Sequence, residues 1–217
     1  MSLLTIDETS AAAERRWLDT WTAGPTEPEG SGLPQGAAAP DLALRDHTGV
    51  VRRLSEFWSE GPALLMFWRH FGCGCGYTRA TQLRQDYEAY RSVGLHPVIV
   101  AQGEPERSAA YHVEHDLPCP VLCDPDLMAY RAYGVGQWSV ERILHSAPAE
   151  YWGHQHDVGR AFQDRRRDRG RPPVDDPWRA TAEFVIGRRG SIRLPYLYQY
   201  CEDYPLARLL TTAARLS

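Results

Sequence analysis

The stretch that most constrains this chain is Ala63-Leu-Leu-Met-Phe-Trp68, followed at once by Arg-His-Phe-Gly-Cys-Gly-Cys-Gly-Tyr-Thr, residues 69–78. An unbroken apolar run this short suits a central strand buried on both faces better than a helix. Beyond the glycines, Tyr77 to Arg91 sets Ala80, Leu83, Tyr87 and Tyr90 on one side of a helix. The unit is a strand, a Gly- and Cys-rich loop, and a helix. In open α/β sheets, ligands gather beyond the carboxyl ends of the strands. The loop with Cys73 and Cys75 lies at that edge.

The rest of the chain fits the same plan. Residues 7–22 read as a short amphipathic helix capped by Asp7, with Ala13, Trp17 and Trp21 at helical spacing. Gly24 to Ala39 is rich in Gly, Pro and Glu and reads as a linker or wrapping arm. Leu42–Leu44 and Val50–Arg52 flank Asp-His-Thr-Gly, a hairpin signal. His96–Ala101 is a second buried strand and Glu104–His115 a helix with Pro105 in its first turn. Pro120–Cys123 is a short strand, and Pro125–Tyr133 a short helix ended by Gly134. Residues 137–178 read as a helical insertion with a mobile basic stretch, Arg165–Arg171. Glu183–Ile186 and Ser191–Leu194 form a last hairpin, and a helix covers about Leu206 to Leu216. Strands alternating with helices imply a mixed central sheet with helices on both faces. The expected division is an N-terminal arm, residues 1–39, and one α/β domain, residues 40–217.

The chemistry of the loop follows from its position. The N-terminus of a helix carries unpaired N–H groups and a partial positive charge. A thiol placed there loses its proton more readily, its pKa falling from ~8.5 toward ~3.5–7.5. Arg69 and His70 add positive charge nearby in sequence. Cysteines two apart in an extended or turn conformation bring their Cα atoms to ~5–7 Å, near the range a disulfide accepts. Gly72, Gly74 and Gly76 permit the backbone this requires. The ring would be small and strained, which suits an oxidant or sensor better than a staple. Two alternatives remain open. The segment is a glycine turn with two incidental thiols, or His70, Cys73 and Cys75 hold a soft metal, with His154 or His156.

Composition closes other routes. All 24 basic residues are arginine, so lysine Schiff-base chemistry and a Walker A lysine are excluded. A net charge of −4 supplies no basic field for nucleic acid. No run reaches membrane-spanning length, and the N-terminus lacks the apolar core of a signal peptide. A cytoplasmic location is expected, where cysteines stay reduced unless catalytic, sensing or metal-bound. Five cysteines, an odd number, argue against a complete disulfide framework.

Three segments carry a family resemblance. They are Ala37 to Phe57 (AAAPDLALRDHTGVVRRLSEF), Ala63 to Arg84 (ALLMFWRHFGCGCGYTRATQLR) and Leu117 to Val135 (LPCPVLCDPDLMAYRAYGV). The chain resembles the peroxiredoxin-like branch of the AhpC/TSA family, and the later DPWRATAEFVIGRRGSIR is similar to the hairpin closing such domains. The resemblance covers roughly Pro40 to the C-terminus. It implies a thioredoxin-like fold and thiol-dependent redox activity, with Cys73 as nucleophile. A peroxide or disulfide would be the substrate and a thioredoxin-like thiol donor the reductant, with no bound cofactor or metal. Two features depart from the family pattern. Relatives commonly carry Cys-x-x-Cys, whose second cysteine falls on Gly76, so Cys75 as the resolving cysteine rests on the loop chemistry. The proline expected ahead of Phe184 is replaced by Thr181-Ala-Glu183.

Lesser candidates are Arg69 as a thiolate or peroxide anchor, His70, Thr78 just after the pair, Cys119 as a resolving thiol, and Glu183 as a proton acceptor facing the loop. Cys123 reads as a small core residue and Cys201 as an inert or surface thiol. Trp17, Trp21, Trp138, Trp152 and Trp178 lie outside the expected core. They would pack the arm and insertion onto the domain or form a homodimer contact. The competing function is a non-enzymatic thioredoxin-fold protein that binds a metal or partner through the CGC loop.

Overall fold

The computed structural model describes residues 6–151, 161, 164 and 175–216. Its elements, in chain order, begin with α1 (Ile6–Ala23), β1 (Ala43–Asp46), β2 (Val51–Arg53), α2 (Glu56–Ser59) and β3 (Ala63–Phe67). Next come α3 (Gly74–Arg91), β4 (His96–Ala101), α4 (Pro105–Glu114), β5 (Val121–Cys123) and α5 (Met128–Ala132). The chain closes with α6 (Val140–His145), β6 (Ala182–Ile186), β7 (Ile192–Leu197) and α7 (Ala207–Arg215).

One seven-stranded sheet runs β2-β1-β5-β4-β3-β6-β7. Its centre is parallel, β3 beside β4 and β4 beside β5, and its outer pairs are antiparallel. The apolar run forms β3 at the middle of this sheet, with every residue buried. Alternation splits it between two cores. Leu65 and Phe67 face Tyr130, Tyr133 and Phe184, while Leu64 and Met66 face Ala80, Leu83 and Leu210. Helices therefore cover both faces, α3 and α7 on one and α5 on the other, and the central mixed sheet is as the sequence implies.

The stretch Gly24–Ala39 is bound along its length to the domain. Gly32 and Leu33 donate to the carbonyls of Gly134 and Tyr133, at 3.1 Å each, and Ala39 donates to Gly190 at 2.7 Å. At its start Trp21 stacks on Trp178 with centroids 4.4 Å apart, and the Trp178 indole donates to the Thr20 carbonyl at 3.1 Å. Arg179, almost wholly buried, joins Glu27 of the arm to Asp176.

Two details differ from the sequence expectations. α1 begins at Ile6, so Asp7 lies within it and is not its cap. α3 begins at Gly74, ahead of Tyr77, which takes Cys75 into the helix. In the expected insertion, Val140–His145 is helical, with Ser139 capping it by accepting from the Arg142 N–H. Trp152, His154, His156 and the run Arg165–Arg171 lie outside the described residues. Among the described residues, no helix is long and apolar enough to cross a membrane.

Candidate active site

The site forms where the chain leaves the sheet. Trp68 still donates to the Val100 carbonyl at 3.0 Å, and Tyr130 donates from the other side to the Trp68 carbonyl. The segment then turns. The Phe71 N–H donates to Asp175 at 3.0 Å, and the Cys73 N–H donates to the His70 carbonyl at 3.0 Å. Cys73 has extended backbone angles (φ −87°, ψ 129°) and occupies the N-cap position of α3.

Cys73 and Cys75 are joined by a disulfide, with Cα atoms 5.3 Å apart, inside the usual ~4.4–6.8 Å. The N-cap conformation makes this reachable: one residue is extended while the other has entered the helix. Cys73 is partly exposed and Cys75 is buried. The Tyr204 hydroxyl donates to the Cys75 carbonyl at 2.6 Å, tying the first turn of α3 to the segment after β7.

That segment brings a residue that sequence reasoning missed. Cys201 is buried, 7% exposed, and is not a surface thiol. Its sulfur and those of Cys73 and Cys75 lie within 4.8 Å of one another. Asp203 holds its loop, accepting from the Gln199 N–H at 2.9 Å and the Tyr196 hydroxyl at 3.1 Å. Arg69, also buried, donates to the Cys201 sulfur and to the Pro177 carbonyl, and its guanidinium lies 5.2 Å from the Trp138 ring centroid. A small pocket beside this group is lined by Cys75, Gly76, Arg79, Thr181, Cys201 and Tyr204, among others. The odd cysteine count was the one sequence signal for Cys201.

The other candidates occupy distinct places. His70 is buried, with the Trp17 ring 5.4 Å away. Thr78 is half-buried, its hydroxyl near the Gly74 carbonyl at 3.5 Å. Glu183 is fully buried within β6. Its carboxylate receives Arg79 in two contacts of 2.8 and 3.0 Å and also accepts from the Tyr198 hydroxyl. That carboxylate is therefore committed to an ion pair beneath α3, and neither faces the loop freely nor sits at a solvated strand end. Burial opposes charge on Arg79, but Glu183 more than offsets it and raises its pKa further. Cys119 is buried in the core under α3, and burial pushes its thiol up to about 12. It lies outside the three-sulfur group.

Gly76, where the family pattern has its second cysteine, packs under Tyr111. A Cβ built on Gly76 would lie 2.5 Å from the Tyr111 hydroxyl oxygen. Tyr111 cannot retreat easily, because it is buried and its ring stacks on Phe71 at 4.2 Å. Among the described residues, no peptide bond is cis, and the stretch Thr181-Ala-Glu183 ahead of Phe184 holds no proline.

A mixed sheet with helices on both faces, and a cysteine pair where a central strand passes into a helix, define a protein of the thioredoxin-like class. The AhpC/TSA family profile matches residues 35–194. The chain therefore belongs to the AhpC/TSA family. It is 25% identical over 105 residues to a thioredoxin-like protein, AAED1, of Arabidopsis thaliana chloroplasts. That match covers 48% of this chain and 42% of the relative, so it spans less than half of the relative's length. Among solved structures, the peroxidoxin BcpB of Mycobacterium tuberculosis superposes with a TM-score of 0.58 at 16% identity, covering 85% of this chain and 97% of that one. The thioredoxin domain of a thiol-disulfide oxidoreductase of Bacteroides vulgatus does so with a TM-score of 0.52 at 13% identity, covering 85% and 98%. At these identities the superpositions establish the fold.

Proposed function

We propose that the protein is a thiol-dependent oxidoreductase of the cytoplasm in which Cys73 is the nucleophile and Cys75 resolves. The observation that carries this reading is the asymmetry of the pair. Cys73 is partly exposed at the N-cap of α3, whereas Cys75, its bonded partner, is buried in the first turn of the helix. A substrate meets Cys73 first. The unpaired N–H groups and dipole of the helix favour negative charge there.

With a disulfide substrate, the Cys73 thiolate forms a mixed disulfide and releases one thiolate. Cys75 then attacks the Cys73 sulfur, expels the second thiolate, and leaves the Cys73–Cys75 bond. With a hydroperoxide, the Cys73 sulfur takes one oxygen and the other leaves as alcohol or water. Cys75 condenses with the sulfenic acid and water departs. In both cases a thiol donor, such as a thioredoxin-like protein, returns the pair to dithiol. Three sulfurs would also suit a soft metal ion, but the Arg69 cation against Cys201 opposes a second cation there.

The test is intact-mass analysis of reduced protein after one equivalent of hydrogen peroxide, or of a small aromatic disulfide. Wild type is expected to lose two hydrogens as the pair closes. Cys75→Ser should accumulate a sulfenic acid or mixed disulfide on Cys73, and Cys73→Ser should not react at the rim. Wild type that stays fully reduced with both probes refutes the reading. Whichever probe reacts faster identifies the substrate class.

A further inference from the structure

We infer that Cys201 is a third redox-active thiol of this site, exchanging with the Cys73–Cys75 disulfide to give a buried Cys75–Cys201 disulfide and a free Cys73. The inference rests on the reading of the pair as a redox couple and extends it to a residue outside the CGC loop.

The geometry brings a third sulfur to the pair. All three sulfurs lie within 4.8 Å of one another, so Cys201 approaches the disulfide by side-chain adjustment. Cys75 and Cys201 line the same pocket, which Cys73 does not line, and Cys73 is the more exposed member of the pair. Attack on Cys75 therefore comes from within. Arg69 makes Cys201 unlike the other free thiols. Its buried guanidinium donates to the Cys201 sulfur and holds it beside the pair. Tyr151 also hydrogen-bonds Cys201. Cys119 and Cys123 are buried free thiols as well, and burial raises both.

The step balances without an outside reagent. The Cys201 thiol gives up its proton, and its thiolate attacks the Cys75 sulfur. The Cys73–Cys75 bond breaks, the Cys75–Cys201 bond forms, and Cys73 leaves as a thiolate that takes the proton. One disulfide and one thiol are present before and after. What changes is location: the oxidised bond moves from the rim to the interior, and the entry thiol is restored. The buried disulfide is shielded from direct reduction and returns to the donor by the reverse exchange through Cys73. Arg69 is the positioning residue of this step.

The test maps disulfides in the oxidised full-length chain after quenching at low pH with N-ethylmaleimide, by digestion and mass spectrometry. Wild type is expected to yield both a Cys73–Cys75 and a Cys75–Cys201 linked species, the second carrying label on Cys73. Cys201→Ser should lose the second species and the labelled Cys73. Cys73→Ser, oxidised with the azo compound diamide, should form the Cys75–Cys201 bond directly. Arg69→Gln should lower the Cys75–Cys201 fraction and Arg69→Lys should restore it, a rescue that a purely structural role would not give. A Cys201 that labels fully in oxidised wild type, with no Cys75–Cys201 bond in Cys73→Ser, overturns the inference. If the Cys73–Cys75 bond still forms in that case, the proposed function stands without it. Zinc or copper(I) binding to reduced protein that is lost in Cys201→Ser, without any Cys75–Cys201 bond, also overturns it in favour of a metal site.

Discussion

Replacing Glu183 by glutamine changes one buried oxygen to an amide and leaves Arg79 facing it without a counter-charge. Side-chain exposure is 3% for Arg79 and 0% for Glu183, so water cannot take over the lost role. Two of the three polar contacts on the carboxylate come from Arg79 and one from Tyr198. An amide can still accept through its oxygen, but its NH2 then meets guanidinium donors. Removing one partner of a buried pair typically costs ~3–5 kcal/mol, because the remaining charge stays desolvated. For a domain of this size, each kcal/mol moves the melting temperature by ~2–4 °C. Glu183→Gln should therefore melt about 6–20 °C below wild type. Urea unfolding should show a lower midpoint at unchanged slope. A triple replacement, Arg79→Met with Glu183→Leu and Tyr198→Phe, removes both charges and the hydroxyl together. It should recover most of the loss. A Glu183→Gln protein within ~0.5 kcal/mol of wild type would refute the reasoning. So would one that keeps its stability while Cys73 reacts more slowly, since Glu183 would then be acting as the proton acceptor.

Gly76→Cys, which restores the family spacing, should be less stable by ~1–3 kcal/mol in chemical denaturation. Adding Tyr111→Phe should relieve it, because the next atom in line is the Tyr111 Cζ at 3.7 Å. Burial, with the His47 ring stacked at 4.1 Å, holds His112 below its ordinary pKa. The unfolded chain therefore binds that proton more readily, and stability should fall as pH drops below ~6.5, the unfolded value. Denaturation midpoints measured across that range should show a shallower slope in His112→Gln. Gly30→Ala drives a methyl group into the Gly134 carbonyl and should loosen the arm, read as faster proteolysis between residues 24 and 39. Unchanged cleavage would show that the close approach of Gly30 to Gly134 does not hold the arm.

Much of the fold was legible because its centre is driven by burial. The runs Ala63–Phe67 and Pro97–Ala101 are apolar without alternation, as strands covered on both faces must be. The start of α3 was less legible. Glycine and cysteine are poor helix formers, so composition places the boundary at Tyr77, whereas the extended Cys73 lets the helix start at Gly74. The wrapping of the arm depends on backbone hydrogen bonds to Gly134, Tyr133 and Gly190, which leave no mark in residue type. Glu183 did carry a signal. A carboxylate inside an otherwise apolar strand must be paired, and Arg79 lies beside the apolar face of α3. The sequence reading starts this strand at Glu183, whereas β6 begins at Ala182 and carries Glu183 inside it.

The same distinction explains the cysteines. Cys73 is legible from sequence because its environment is local: a strand end, glycines and a helix start lie within a dozen residues. Cys201 is not, because its environment is assembled from Arg69, the Asp203-held loop after β7 and the first turn of α3, none of which is near it in sequence except the loop. The unusual spacing of the pair belongs to the same assembly. With Tyr111 over Gly76, a second cysteine has no room at the family position. One residue earlier, at Cys75, the side chain enters the pocket that Cys201 also lines. The shift that makes the CGC motif look like a departure is the shift that brings its second sulfur within reach of a third.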